Sequence, residues 1–323
     1  MTDTPQPRPV GATAPATEMP ATEVAKPVTA PEPEQAAPGR SLTSDAWRQL
    51  RRKPAFWFSA VLITFFVVMA AFPSLFTSVD ARDVFDVRLK PSSEHWFGTD
   101  GQGYDIYARC IEGARASILV GIFATICTTL LGSTIGILSA YCGGWIDAVV
   151  SRITDIFFAV PLLLGGILFM SAFPSDQSTP YLVVVFKVVA ALTILGWPSL
   201  ARLMRGSVLQ VLPNDYVQAA RALGASPWRI ITAHILPNSL APILVVSTIN
   251  LGVYIVAEAT LSFLGIGLVP PAVSWGVAIN EGLKFLRTFP HIPLFPSIFL
   301  SLCVLAFIML GDAARDAFDP KSR

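Results

Sequence analysis

The chain has 323 residues, of which 53% are hydrophobic and only 14% charged, and its net charge is +1. A soluble domain of this length carries about a quarter charged residues, so the apolar excess requires burial in lipid. The charge balance offers no basic surface for nucleic acid, and charge is informative here only by position.

Residues 1–40 are rich in Pro, Ala and Thr and contain no aromatic side chain. Such a segment cannot bury enough apolar surface to offset the entropy of ordering, so 1–45 is expected to be a disordered cytoplasmic tail. It does not read as a secretory signal, because the first apolar run begins too far along the chain.

A helix that crosses the hydrocarbon core needs about 20 mostly apolar residues. Six runs qualify: 55–76, 117–141, 148–173, 181–204, 240–266 and 294–311. The expected fold class is therefore an all-α integral membrane protein with six transmembrane helices. Arg48, Arg51, Arg52 and Lys53 directly precede the first run and place the N-terminus in the cytoplasm. An even number of spans returns the C-terminus to the same side, where Arg315, Lys321 and Arg323 lie. Lys284 and Arg287 in an outer loop are a mild exception to the rule. This organisation divides the chain into a first helix with an extracytoplasmic segment (46–115), a transmembrane domain (116–312) and a cytoplasmic C-terminal tail (313–323).

Within the spans, Pro161 with Gly165 and Gly166, and Gly196 with Pro198, read either as flexing points or as ordinary kinks. Lys187 and Glu258 are ionisable residues within apolar runs, which makes them functional candidates by default, whereas Arg152 and Asp155 lie near the start of theirs. Lys187 lies near a span end and can snorkel outward. Glu258 is expected to make a polar contact within the membrane-embedded assembly. Cys110, Cys127, Cys142 and Cys303 lack any C-x-x-C spacing and read as packing residues. His95, His234 and His291 are too dispersed for a metal site, so neither a metal nor a catalytic residue is expected.

The loop 213–238, "PNDYVQAARALGASPWRIITAHILPN", is polar, cationic and helix-forming, between two apolar runs. Asp215 and Gln218 have the spacing of a capping box. Gly224 suits the left-handed position past a helix end. Ser226 then caps again, Pro227 takes a first helical position, and Pro237 is expected to end the second helix. The result is two short helices at a sharp corner, too short to be stable alone. Three seats are open to it: the lipid headgroups, the chain's own spans, or a cleft in a soluble partner. Ala219, Ala220, Ala222, Gly224 and Ala225 favour the cleft, because small residues allow close backbone approach.

Gln218-Ala219-Ala220-Arg221-Ala222-Leu223-Gly224, followed by His234-Ile235-Leu236-Pro237-Asn238, resembles the E-A-A-x3-G signature of permease subunits of ATP-binding-cassette (ABC) importers. "FGTDGQGYDIYARCIEGARASILVG", "YCGGWIDAVVSRITDIFFAVP", "EATLSFLGIGLVPPAVSWG" and "LGDAARDAFDP" extend the likeness to the second permease of the dipeptide, oligopeptide and nickel group. The likeness runs from about Trp47 to Pro320. It implies a type I ABC-importer permease fold and a heterodimer with a homologous permease. It also implies two ABC ATPase subunits that seat on the loop, an extracytoplasmic substrate-binding protein, membrane lipid around the spans and a peptide substrate. The residues expected to meet the ATPase are Asp215, Tyr216, Gln218, Ala219, Ala220, Arg221, Gly224, Ala225 and Arg229. Gln218 stands where the family has glutamate, which replaces a charge contact with a neutral hydrogen bond. Tyr104 stands where the family's outer motif has arginine.

The chain has no G-x4-G-K-[S/T] phosphate loop, so ATP and Mg are expected on partner subunits and the chain is expected not to be an enzyme. An ATP-independent secondary transporter or channel is the alternative. It would call for an internal hydropathy repeat and paired ionisable groups in the spans. Within the importer class, nickel, glutathione or haem are the other cargoes.

Overall fold

A computed structural model describes residues 47–176 and 178–318 of the protein. The tail expected over 1–45 lies outside the described residues, as does 319–323.

Helix α1 (Pro54–Ala71) begins on Pro54, whose missing N–H costs nothing at a helix start. Its 18 residues span about 27 Å, close to the hydrocarbon thickness. Helix α2 (Ile106–Cys142) begins well before residue 117, where hydropathy first detects it. The Asp105 carboxylate caps it by accepting from the Ala108 N–H at 2.8 Å. The added turns carry Arg109, Glu112 and Arg115, which a helix standing out of lipid tolerates. At 37 residues α2 is about 55 Å long, so it extends beyond any single bilayer core.

The third expected span is not one helix. Helices α3 (Gly144–Phe158) and α4 (Leu162–Ala172) meet at 86°. Pro161 has no N–H to donate back along a helix and disfavours helical geometry at the residue before it. The break at Pro161 is thus a corner between two helices, sharper than an ordinary kink, the weaker of the two readings open there. Among the described residues five helices are long and apolar enough to span, and the bent pair makes the sixth.

Helix α5 (Tyr181–Val211) is 31 residues long and accommodates Pro198 internally. Helix α6 (Asp215–Ala222) follows, then α7 (Pro227–Ile230), a π-helical turn (Ile231–Ile235) and α8 (Leu236–Phe263). Pro237 does not terminate the helix as expected. The wider π turn just upstream relaxes the clash and lost hydrogen bond that Pro237 imposes, and Pro227–Phe263 runs on as 37 helical residues. Helix α9 (Trp275–Leu283) is short, and α10 (His291–Phe318) continues into the segment expected to be a C-terminal tail.

Helices α2 and α5 pack most intimately. A Cβ on Gly132 would lie 2.7 Å from the Trp197 carbonyl oxygen, and one on Gly136 2.5 Å from that of Ala201. Glycine at this four-residue spacing lets the two backbones touch, the usual device where lipid supplies no hydrophobic drive. Lys53 Nζ meets Asp316 Oδ2 at 2.7 Å, which ties the start of α1 to the end of α10 on the cytoplasmic side.

Candidate functional site

The cytoplasmic corner is built on the end of α5. Val217, Ile230 and Ile235 are buried in one apolar cluster with Ile137 of α2, Leu200, Met204 and Val208 of α5, and Ile243 of α8. Packing against the chain's own spans therefore seats one face of the unit. It leaves the other face free.

The corner itself closes as a Schellman motif. The Ala225 N–H donates to the Ala220 oxygen and the Gly224 N–H to the Arg221 oxygen, both at 3.0 Å. Gly224 has φ of +77°, a left-handed conformation that disfavours any side chain. The Ser226 hydroxyl accepts from the Arg229 N–H at 3.4 Å and starts α7 behind Pro227. The capping box expected from Asp215 and Gln218 does not form. Asn214 takes the cap position, and Gln218 Nε2 donates instead to the Leu212 oxygen at 2.8 Å. Gln218 thereby fastens α6 to the end of α5, a contact that a glutamate could not donate.

Between α6 and α7 lies a concavity of about 490 Å³. Tyr216, Ala219, Ala220, Gly224, Ala225 and Arg229 line it, six of the nine residues expected to meet a partner. Asp215, Gln218 and Arg221 are exposed outside it. Leu223 and His234 complete the lining and were not among the expected contacts. Leu223 is 88% exposed and Trp228 75%, so the corner presents two large apolar side chains to its surroundings. The sequence signal for Leu223 is its place beside Gly224, where the chain reverses and the last helical side chain is turned outward.

The two ionisable residues of the apolar runs do different things. Lys187 does snorkel: its Nζ donates to the Pro174 oxygen at 2.9 Å and to Ser175 Oγ at 3.1 Å, in the segment between α4 and α5. Glu258 is fully buried and makes polar contacts within this chain. Ser117 Oγ donates to one carboxyl oxygen at 2.7 Å and Ser262 Oγ to the other at 2.8 Å. Ser117 belongs to α2 and Ser262 to α8, so the carboxyl joins two helices. Serine is too common in sequence to betray such a cluster.

The extracytoplasmic segment carries a second polar centre. Arg109 Nη1 meets Asp100 at 2.6 Å and Glu281 at 2.7 Å, with all three side chains largely buried. The Tyr104 ring lies 5.0 Å from that guanidinium, so the residue that replaces the family arginine stacks on a neighbouring one. His95 Nδ1 and Asp105 are 2.8 Å apart beside it. Among the described residues no group of His, Cys, Asp or Glu has the geometry to hold a metal ion.

Long apolar helices with one broken span, and a short helix held out at a glycine corner, define a membrane transport permease. Comparison with known proteins gives the family. The chain belongs to the binding-protein-dependent transport system inner membrane components, which it matches over residues 132–323. Residues 41–91 match the N-terminal transmembrane domain of oligopeptide transport permease C. The chain is 38% identical to the dipeptide transport system permease protein DppC of Alkalihalophilus pseudofirmus, covering 94% of this chain and 99% of that one. It is 38% identical to the oligopeptide transport system permease protein OppC of Bacillus subtilis, covering 88% and 91%. It is 37% identical to the glutathione transport system permease protein GsiD of Pectobacterium atrosepticum, covering 85% and 90%. A solved structure of the MetNI methionine ABC transporter shares the fold, with a TM-score of 0.51 at 18% identity over 65% of this chain and 96% of that one. The protein is thus an inner-membrane ABC-importer permease subunit, and a subunit of this kind works with a partner permease, an ATPase and a binding protein.

Proposed function

We propose that this permease carries di- and oligopeptides that an extracytoplasmic binding protein delivers, in a heterodimer with a homologous permease. Of two ABC ATPases, which bind ATP and Mg, one seats on the α6–α7 concavity and the other on the partner permease. The observation that carries the ATPase seat is the corner itself. Its inner face is anchored in the spans while Leu223, Trp228 and Arg229 are left exposed around a hollow lined by small residues. A rigid, half-buried unit with an apolar outer face suits a protein cleft, because small flanking residues leave little surface for lipid. ATP-driven closure of the ATPases then moves α6, and with it the end of α5. The peptide cargo is supported by relatives named for dipeptides and oligopeptides, with glutathione, itself a short peptide, as the variant.

Purification of the tagged chain in mild detergent from its own membrane should recover a second permease and Walker-type ATPases. Proteoliposomes of that complex, supplied with binding protein and ATP, should accumulate labelled Ala-Phe. Recovery of the chain alone, or accumulation that ignores ATP, would refute the reading.

A further inference from the structure

Outside the corner and the buried Glu258 cluster, the described residues contain a cavity of about 450 Å³ at the extracytoplasmic ends of α2 and α5. Its volume lies within the range of about 300–1,000 Å³ typical of small-molecule sites. Glu112 and Arg115 of α2, Arg82, Tyr181, Leu182 and Ala272 are among its walls. Arg82 Nη2 holds only one oxygen of Glu112, at 2.9 Å. Arg115 is exposed and, among the described residues, meets no carboxylate at ion-pair distance. The cavity thus pairs a half-used anion with an unused cation, one helical turn apart, against an apolar wall.

We infer that this cavity binds short zwitterionic peptides by both ends, with the α-ammonium on Glu112 and the α-carboxylate on Arg115. This assignment rests on the peptide reading above and deepens it to a length class. Side chains three residues apart on a helix have Cβ atoms about 5–6 Å apart. An extended dipeptide spans at most about 7 Å, whereas a pentapeptide reaches about 17 Å and can place only one of its ends here. Leu182 and Ala272 supply the surface for the peptide side chains. Val273, in the loop before α9, completes that wall.

The test uses the assembled importer in nanodiscs with the binding protein omitted, so that the permease site alone is read. Ala-Phe binding is titrated by saturation-transfer difference NMR against N-acetyl-Ala-Phe-amide and against penta-alanine. Charge-assisted contacts of this kind are worth about a 10- to 100-fold change each. Ala-Phe should bind at least 10-fold more tightly than either comparison. Arg115→Ala should abolish the preference over the blocked peptide, Arg115→Lys should restore much of it, and Glu112→Gln should weaken Ala-Phe while leaving a hydrogen bond to Arg82. Equal binding of free and blocked peptides, or an unaltered preference in Arg115→Ala, overturns the site, while peptide uptake by wild-type proteoliposomes supplied with binding protein and ATP keeps the transport reading intact. No uptake of any peptide by the wild type overturns both.

Discussion

Replacement of Gly224 tests the corner more sharply than any other change. The residue sits at φ +77°, and a Cβ built on it would meet nothing within 4 Å. Alanine therefore introduces no clash and costs only the left-handed backbone, about 1–2 kcal/mol. Asparagine tolerates that region and should cost less. Proline is locked near φ −65° and also deletes the Gly224 N–H bond to Arg221, a loss of about 3 kcal/mol or more at this corner. None of these changes touches the apolar cluster around Val217 and Ile230, so insertion and folding should survive. Transport per ATP hydrolysed, measured in proteoliposomes, should fall in the order glycine, asparagine, alanine, proline, with hydrolysis persisting while uptake is lost in Gly224→Pro. Wild-type stoichiometry in the proline variant would refute the corner as the coupling element. Equal loss in all three would refute backbone angle as the cause.

Two further outcomes follow from the same geometry. Leu223→Ser removes an apolar side chain that nothing in this chain covers, so stability should change by less than about 0.5 kcal/mol. If the ATPase buries Leu223, about 1.5–3 kcal/mol of association is lost, read as roughly 10- to 100-fold weaker ATPase retention on immobilised permease. Arg109→Met leaves Asp100 and Glu281 buried without their cation and should destabilise the protein by about 3–5 kcal/mol. The exposed Arg202–Asp155 pair is the control, since Arg202→Met should cost less than about 1 kcal/mol in the same detergent unfolding assay.

The spans and the corner were legible because each rests on local chemistry. Apolar run length marks a helix in lipid, and serine, proline and glycine at the corner have conformational preferences that do not depend on neighbours. The misreadings share an opposite cause. Whether Gln218 reaches back along α6 or across to Leu212 depends on where α5 ends. Whether Pro237 stops a helix depends on whether the preceding turn can widen. The start of α2 was hidden because Arg109, Glu112 and Arg115 look too polar for a span, although Asp105 caps the helix ahead of them. Glu258 could be singled out as costly, but Ser117 lies far from it in sequence.

The way the corner is fastened bears on how its motion would travel. Gln218 and the buried Val217 hold α6 to the end of α5, so α6 cannot shift without α5. Farther up α5, Arg205 grips both carboxyl oxygens of Asp147 on α3, Nη2 to Oδ2 at 2.6 Å, while Ser139 of α2 donates to the same carboxylate. Arg202, at the next position along that face, reaches Asp155 of α3 at 2.8 Å. Helix α3 is thus clamped to α5 at two points a little over two turns apart along α3. Beyond the 86° corner, the clamp gives way to apolar packing, with Gly165 of α4 lying close against Leu195 of α5. A displacement imposed at α6 would therefore pass into α3 chiefly through the part-buried Arg205–Asp147 pair, and can be taken up at Pro161, where no helical hydrogen bond has to be broken to bend the chain.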